Sequence, residues 1–171
     1  AVVGDFDFDK VSQKLDNHFS GLPISVDDNQ QKSIVPVLSN KKYVELIQPD
    51  ISQAHIIQGW LVDNDYPELS LLNIMLGASG LSSRLFLELR EKKGLAYVVR
   101  SSFDLMKIKS NFSIYIATEP SNIDVSKKGF EDEIRKIKNI DVSVEELENA
   151  KNNLYGKWAF SQEDNNRQAS L

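Results

Sequence analysis

The chain contains no cysteine, which excludes disulfide scaffolds, thiolate metal sites, iron–sulfur clusters and cysteine nucleophiles. The same absence leaves the compartment open, because a cysteine-free chain suits a bacterial cytoplasm or periplasm and a mitochondrial matrix alike. Histidine is almost missing: His18 and His55 are the only two, and neither H-x-x-E-H nor H-E-x-x-H occurs. No helix can therefore present two imidazoles to one metal ion. His18 falls near the end of a predicted helix, where imidazolium suits the dipole, and His55 alternates with its neighbours in a predicted strand. Both read as structural. Glycine and proline number only 8 and 5, with no linker, repeat or low-complexity tract. Basic blocks are lacking too: 20 Lys and Arg face 25 Asp and Glu, a net charge of −5. The electrostatic footprint of a nucleic-acid binder is missing. No apolar run approaches the ~18 residues of a membrane span.

What is present fits an ordinary globular domain of 171 residues, 41% hydrophobic and 26% charged. A chain of this length buries about two-thirds of its unfolded surface and needs no metal or disulfide for stability. Both ends read as cut. The chain opens without Met inside a strand-like Ala1-Val2-Val3-Gly4, too short in apolar residues for a signal peptide, and closes within a polar helical run at Ala169-Ser170-Leu171. The expectation is one domain, residues 1–171, that is a fragment of a longer polypeptide.

After the opening strand, Asp7 is placed to cap a helix carrying Phe8, Val11, Leu15 and Phe19, stopped by Gly21-Leu22-Pro23. Residues 27–32 read as a polar loop. Tyr43-Val44-Glu45-Leu46-Ile47 and the run Ala54 to Val62 read as strands separated by Pro49-Asp50. From Pro67 the period becomes helical, with Leu69, Leu72, Met75 and Leu76 on one face up to Gly77. Gly77-Ala78-Ser79-Gly80 links to a helix capped by Ser82 that carries Leu85, Phe86 and Leu89 and closes at Gly94. Strands at Ala96 to Phe103 and Asn111 to Thr118 follow, the second alternating strictly through Phe112, Ile114 and Ile116. A helix with Ile123, Phe130, Ile134 and Ile137 comes next. The last helix starts at a Ser143-Val144-Glu145-Glu146 capping box and carries Leu147, Ala150, Leu154 and Trp158. The order β-α-β-β-α-α-β-β-α-α predicts an α+β fold, an antiparallel or mixed sheet with helices packed on it.

The glycine link is not a phosphate loop, since it follows a helix and ends in Ser-Arg. Ser79, Ser82 and Ser83 form no G-x-S-x-G and have no nearby His, so caps and flexible linkage account for them. The acidic run Glu131-Asp132-Glu133 reads as a solvated helix face. Arg90 and Tyr97 are more informative. Arg90 lies in the last turn of a helix and Tyr97 just inside a strand, with the Gly94 reversal between them. A guanidinium fork beside a phenol suits a peptide carbonyl, a carboxylate or a developing oxyanion. Neutralisation of a helix C-terminus by Arg90 and half-burial of Tyr97 explain the same residues without function.

The segment Gly80-Leu81-Ser82-Ser83-Arg84-Leu85-Phe86, with Leu89-Arg90-Glu91-Lys92-Lys93-Gly94-Leu95-Ala96-Tyr97, resembles the signature of the pitrilysin, insulinase and mitochondrial processing peptidase family, in the half that does not hold the metal. Val3-Gly4-Asp5-Phe6-Asp7, Gly21-Leu22-Pro23, the Gln53 to Gly59 strand and Glu146-Leu147-Glu148-Asn149-Ala150-Lys151 agree in order. The resemblance implies a zinc-dependent peptidase of paired α+β domains or subunits enclosing a substrate chamber. It matches Arg90 and Tyr97 to the family's Arg/Tyr pair, which reaches toward the zinc-bearing partner, holds the substrate backbone and assists at the scissile carbonyl. It places Gly77, Ser79 and Gly80 in a segment that approaches substrate. The family's metal ligands, an inverted H-x-x-E-H and a downstream Glu, have no counterpart here, so zinc is expected in the partner half and no metal in this chain. A core subunit with little peptidase activity, or a module that captures extended peptides, is the rival reading.

Overall fold

The computed structural model describes residues 2–22, 42–46, 51–63, 67–106 and 109–169. In chain order the elements are α1 (Phe8–Phe19), β1 (Ala54–Val62), α2 (Glu68–Asn73), β2 (Ala96–Asp104), β3 (Ser110–Thr118), α3 (Ile123–Asn139), α4 (Val144–Glu163) and α5 (Asn165–Ala169). Between α2 and β2 the chain makes a π-helical turn at Ile74–Ala78, a 3-10 turn at Gly80–Ser82 and a π-helical segment at Phe86–Lys92. The chain separates into two compact units, Ala1–Ile34 with Gly156–Leu171, and Val35–Tyr155. The first holds α1, the end of α4 and α5. Asp7 caps α1 as its position predicts, its carboxylate accepting from the Lys10 amide at 3.2 Å.

The second unit contains the sheet, β1-β3-β2, antiparallel throughout. This is the α+β architecture that the alternation of strand and helix periods predicts. β3 is central, so one face of it must be covered, and Phe112, Ile114 and Ile116 are buried. Leu76, Leu85, Leu89, Leu95, Val99 and Phe130 complete that core. Each fully buried side chain of this size contributes about 1.5–3 kcal/mol. Two expected strands are absent among the described residues. Residues 2–5 are irregular, Ala1 lying outside the described set. Residues 42–46 are exposed and join no ladder, and Ile47 also lies outside. A β-rich run becomes a strand only against a partner, and none of the described strands pairs with these segments.

Helical details also differ from the simple periodic reading. α2 widens at Ile74 into the π turn, which brings Gly77 against β2. A Cβ on Gly77 would stand 2.2 Å from the Ser101 amide nitrogen. Ser101 Oγ donates here to the Asn73 carbonyl oxygen at 3.1 Å and lies 2.6 Å from Asn73 Oδ1. Ser83, extended at φ −78° and ψ 151°, starts the next helix in place of Ser82. Half of the capping box forms: Ser143 Oγ accepts from the Glu146 amide at 3.1 Å, while the Glu146 carboxylate turns to Arg84. Along α4 the expected apolar face is buried only at Ala150, and Trp158 is 61% exposed.

Gly77→Ala should lower unfolding stability by about 3 kcal/mol, because the added methyl meets rigid backbone. Gly156→Ala, mid-helix with nothing within 4 Å of the new methyl, should raise stability by about 0.5–1 kcal/mol. Urea midpoints at unchanged m values check both.

Candidate functional site

Tyr97 owes its position to a β-bulge. Ala96 pairs with Thr118 and Val98 with Ala117, so Tyr97 is the extra residue. Strict alternation from buried Val99 would send Val98 outward and Tyr97 inward. The bulge turns Tyr97 outward instead, and the side chain is 77% exposed. Gly94, at φ +61°, closes the π-helical segment in the left-handed region that glycine enters without strain. Its amide donates to the Arg90 carbonyl at 3.0 Å, and the amide of buried Leu95 to the Leu89 carbonyl at 2.9 Å. The reversal therefore returns the chain directly beneath Arg90.

Arg90 and Tyr97 meet across that reversal. The Arg90 guanidinium carbon lies 4.7 Å from the Phe86 ring centroid and 5.0 Å from that of Tyr97. Neither ring contact consumes an N–H donor in a charge pair, and Arg90 takes part in no ion pair among the described residues. A cleft of about 280 Å³ adjoins Tyr97, bounded also by Ala117, Glu119, Asn122 and Gln53. The arrangement can hold a carbonyl or carboxylate and donate a phenolic hydrogen bond beside it.

Gly77, Ser79 and Gly80 lie elsewhere. Gly77 is buried on the covered side of β2 at Ser101, opposite to the face on which Tyr97 emerges. Ser79 is half-buried, its hydroxyl accepting from Ser82 Oγ at 3.2 Å. Gly80 is exposed at φ +69°, its carbonyl accepting from Ser83 Oγ at 2.8 Å.

A half-buried ion pair has no signal in local sequence. Arg84 Nε and Nη2 donate to the two carboxylate oxygens of Glu146, both at 2.6 Å, across 62 residues of chain. This bidentate bond raises the Arg84 pKa further, against the lowering effect of burial. The pair lines a polar groove of about 460 Å³ with Glu88, Glu133 and Lys136. The hydrogen bond from Lys92 holds the Glu88 carboxyl below its ordinary value, helped by the charge of Lys136. A hydrogen bond to Glu133 raises Lys136. Among the described residues no group of three or more His, Asp or Glu could hold a metal ion, and none of their helices is long and apolar enough to cross a membrane.

The family model for the peptidase M16 inactive domain matches residues 1–154, and the chain belongs to that family. This is the non-zinc half that its Gly80–Tyr97 segment resembles. An uncharacterized zinc protease of Rickettsia felis is 31% identical over 172 residues, 95% of this chain and 39% of the relative. One from Streptomyces coelicolor is 34% identical over 125 residues, 71% of this chain and 27% of the relative. The chain thus spans well under half the length of these relatives. A solved peptidase M16 inactive domain from Pseudomonas fluorescens aligns at TM-score 0.56 and 32% identity over 64% of this chain and 27% of that one. A protease from Helicobacter pylori shares the fold at TM-score 0.76 and 22% identity, over 98% of this chain and 42% of that one.

The charge pairs of the groove set a pH response. Glu88 is depressed on folding, so its stabilisation is complete above its ordinary value of 4.5 and is lost as pH falls through the lower folded value. Lys136 is raised, so its contribution holds below 10.5 and is lost as pH climbs through the higher folded value. Lys92→Met should flatten the acid limb of a melting-temperature profile relative to wild type and leave the alkaline limb in place.

Proposed function

We propose that this domain is the substrate-orienting half of a zinc-dependent endopeptidase and acts beside a zinc-bearing half on the same chain or on a partner subunit. The observation that carries the reading is the clamped pair itself. Arg90 lies against two rings, and Tyr97 is turned outward by a bulge that packing alone does not require. His18 and His55 are far apart in sequence, and among the described residues no ligand cluster forms, so in this reading the metal and its general base sit in the other half. Within this chain, the Arg90 edge donors bind a backbone carbonyl of an extended peptide. The Tyr97 hydroxyl donates to the scissile carbonyl oxygen as negative charge builds on it. Both groups are held before substrate arrives, so less ordering entropy is lost at the reacting step. Of the glycine-containing segment, Ser79 and Gly80 remain accessible to a bound chain, whereas Gly77 serves packing.

In the assembled enzyme, Tyr97→Phe should lower kcat by about 10²-fold, the typical effect of deleting one oxyanion donor. Melting should be unchanged, because the hydroxyl is exposed. Arg90→Ala should raise KM for peptide and lower kcat/KM, and Arg90→Lys should rescue little, lacking the planar fork. Wild-type turnover by Tyr97→Phe would remove the catalytic role. An assembly that is inert with zinc demonstrably bound would identify the domain as a scaffold or peptide-capturing subunit.

A further inference from the structure

The open face of the sheet carries a second cationic and aromatic cluster that the Arg90–Tyr97 pair does not use. Arg100 on β2 stands opposite Tyr115 on β3, its guanidinium carbon 5.1 Å from the phenol ring centroid. His55 on β1 stacks on the same tyrosine at 6.0 Å and 21°, and its Nδ1 lies 2.9 Å from the phenol oxygen. His55 pairs with Ala117, and Ala117 pairs on its other side with Val98, next to Tyr97. Successive same-face residues of β3 lie about 7 Å apart, so the cluster and Tyr97 share one continuous surface.

This surface carries two arginines that no carboxylate holds among the described residues. The net charge is −5, and Arg84, Lys92 and Lys136 are each tied to a carboxylate. Arg90 and Arg100 enter no ion pair among the described residues, and neither does His55. Along β2 the nearest acidic side chain is Asp104, about 13 Å further on, and Glu119 borders the cleft at Tyr97, at the opposite end of the cluster. A guanidinium stacked on a ring keeps its in-plane donors for a bidentate carboxylate. His55 Nε2 has no partner among the described residues and supplies a further polar contact.

We propose that Arg100, with His55 and Tyr115, forms a subsite for an Asp or Glu side chain of an extended peptide, about three residues from the bond held at Arg90 and Tyr97. The assignment rests on the peptide-orienting reading above, and it makes the substrate class acidic near the cleavage point. Arg90 fixes the backbone, and Arg100 reads the side chain.

The test uses the full-length protein with its zinc half. Fluorescent peptides identical except for Glu or Gln at one scanned position are compared by anisotropy, and cleavage is followed separately. At one position the Glu peptide should bind about tenfold more tightly, the usual scale for a hydrogen-bonded charge pair. Arg100→Gln should bring the ratio to about one, and Arg100→Glu should reverse the preference toward a Lys peptide, with melting curves confirming folded variants. Equal binding of Glu and Gln peptides at every position overturns the subsite. So does a preference that survives Arg100→Gln, or no binding of either peptide. Discrimination without cleavage supports the subsite and counts against the endopeptidase reading; cleavage without discrimination does the reverse.

Discussion

Covering one face of β3 is the constraint from which the rest of the domain follows. Phe112, Ile114 and Ile116 are buried in the middle strand, and helices must lie across them because both neighbouring positions in the sheet are already filled by β1 and β2. Leu85 just before the π-helical segment, Leu89 within it and Phe130 of α3 supply that cover. Gly129 marks how closely these helices approach, since a Cβ there would stand 2.4 Å from a Leu89 methyl. A helix laid on the sheet in this way ends at the sheet rim. The left-handed Gly94 then feeds it straight into β2, and Arg90 is left above the first residues of that strand. Core packing and the placement of the Arg/Tyr pair are thus one geometric problem.

Arginines are held in two different ways in the same unit, and the difference decides what each can do. Arg84 sits between helices, largely shielded from water, with its fork fully engaged by Glu146. Removing either partner would leave a half-buried charge without its hydrogen bonds, so this pair fastens α4 to the segment before Phe86. Arg90 and Arg100 are fixed by aromatic rings. Ring stacking restrains the guanidinium plane without neutralising its charge, so both retain donors for another molecule. In a domain without a metal cluster among its described residues, such preorganised charge is the chemistry the chain itself can offer a substrate.

The chain belongs to the peptidase M16 family, in its inactive domain. The chain spans 39% of the Rickettsia relative and 27% of the Streptomyces one. A half that binds and orients needs an open surface with fixed donors, and a half that performs metal chemistry needs converging ligands. The sheet face bearing Tyr97, Tyr115 and Arg100, with Arg90 at its rim, has the first property.

Much of this was legible in the amino-acid order alone, wherever a feature depends on residues a few positions apart. Alternation through Phe112, Ile114 and Ile116 specified the central strand, spacing of Ile123, Phe130, Ile134 and Ile137 specified α3, and Asp7 and Gly94 specified helix ends. The meeting of Arg90 and Tyr97 was readable for the same reason, as one glycine reversal separates them. What lay beyond local reading depends on partners far along the chain. Val2–Gly4 and Tyr43–Leu46 have strand-like composition and no partner among the described strands. The π turn at Gly77 exists because β2 approaches it. Glu146 abandons its capping box for an arginine 62 residues away. The outward turn of Tyr97 required a ladder register, two residues of β2 against one of β3, and register is a property of paired strands. Short-range periodicity determined which segments become strand or helix; only tertiary contact decided which of their side chains stay free to act.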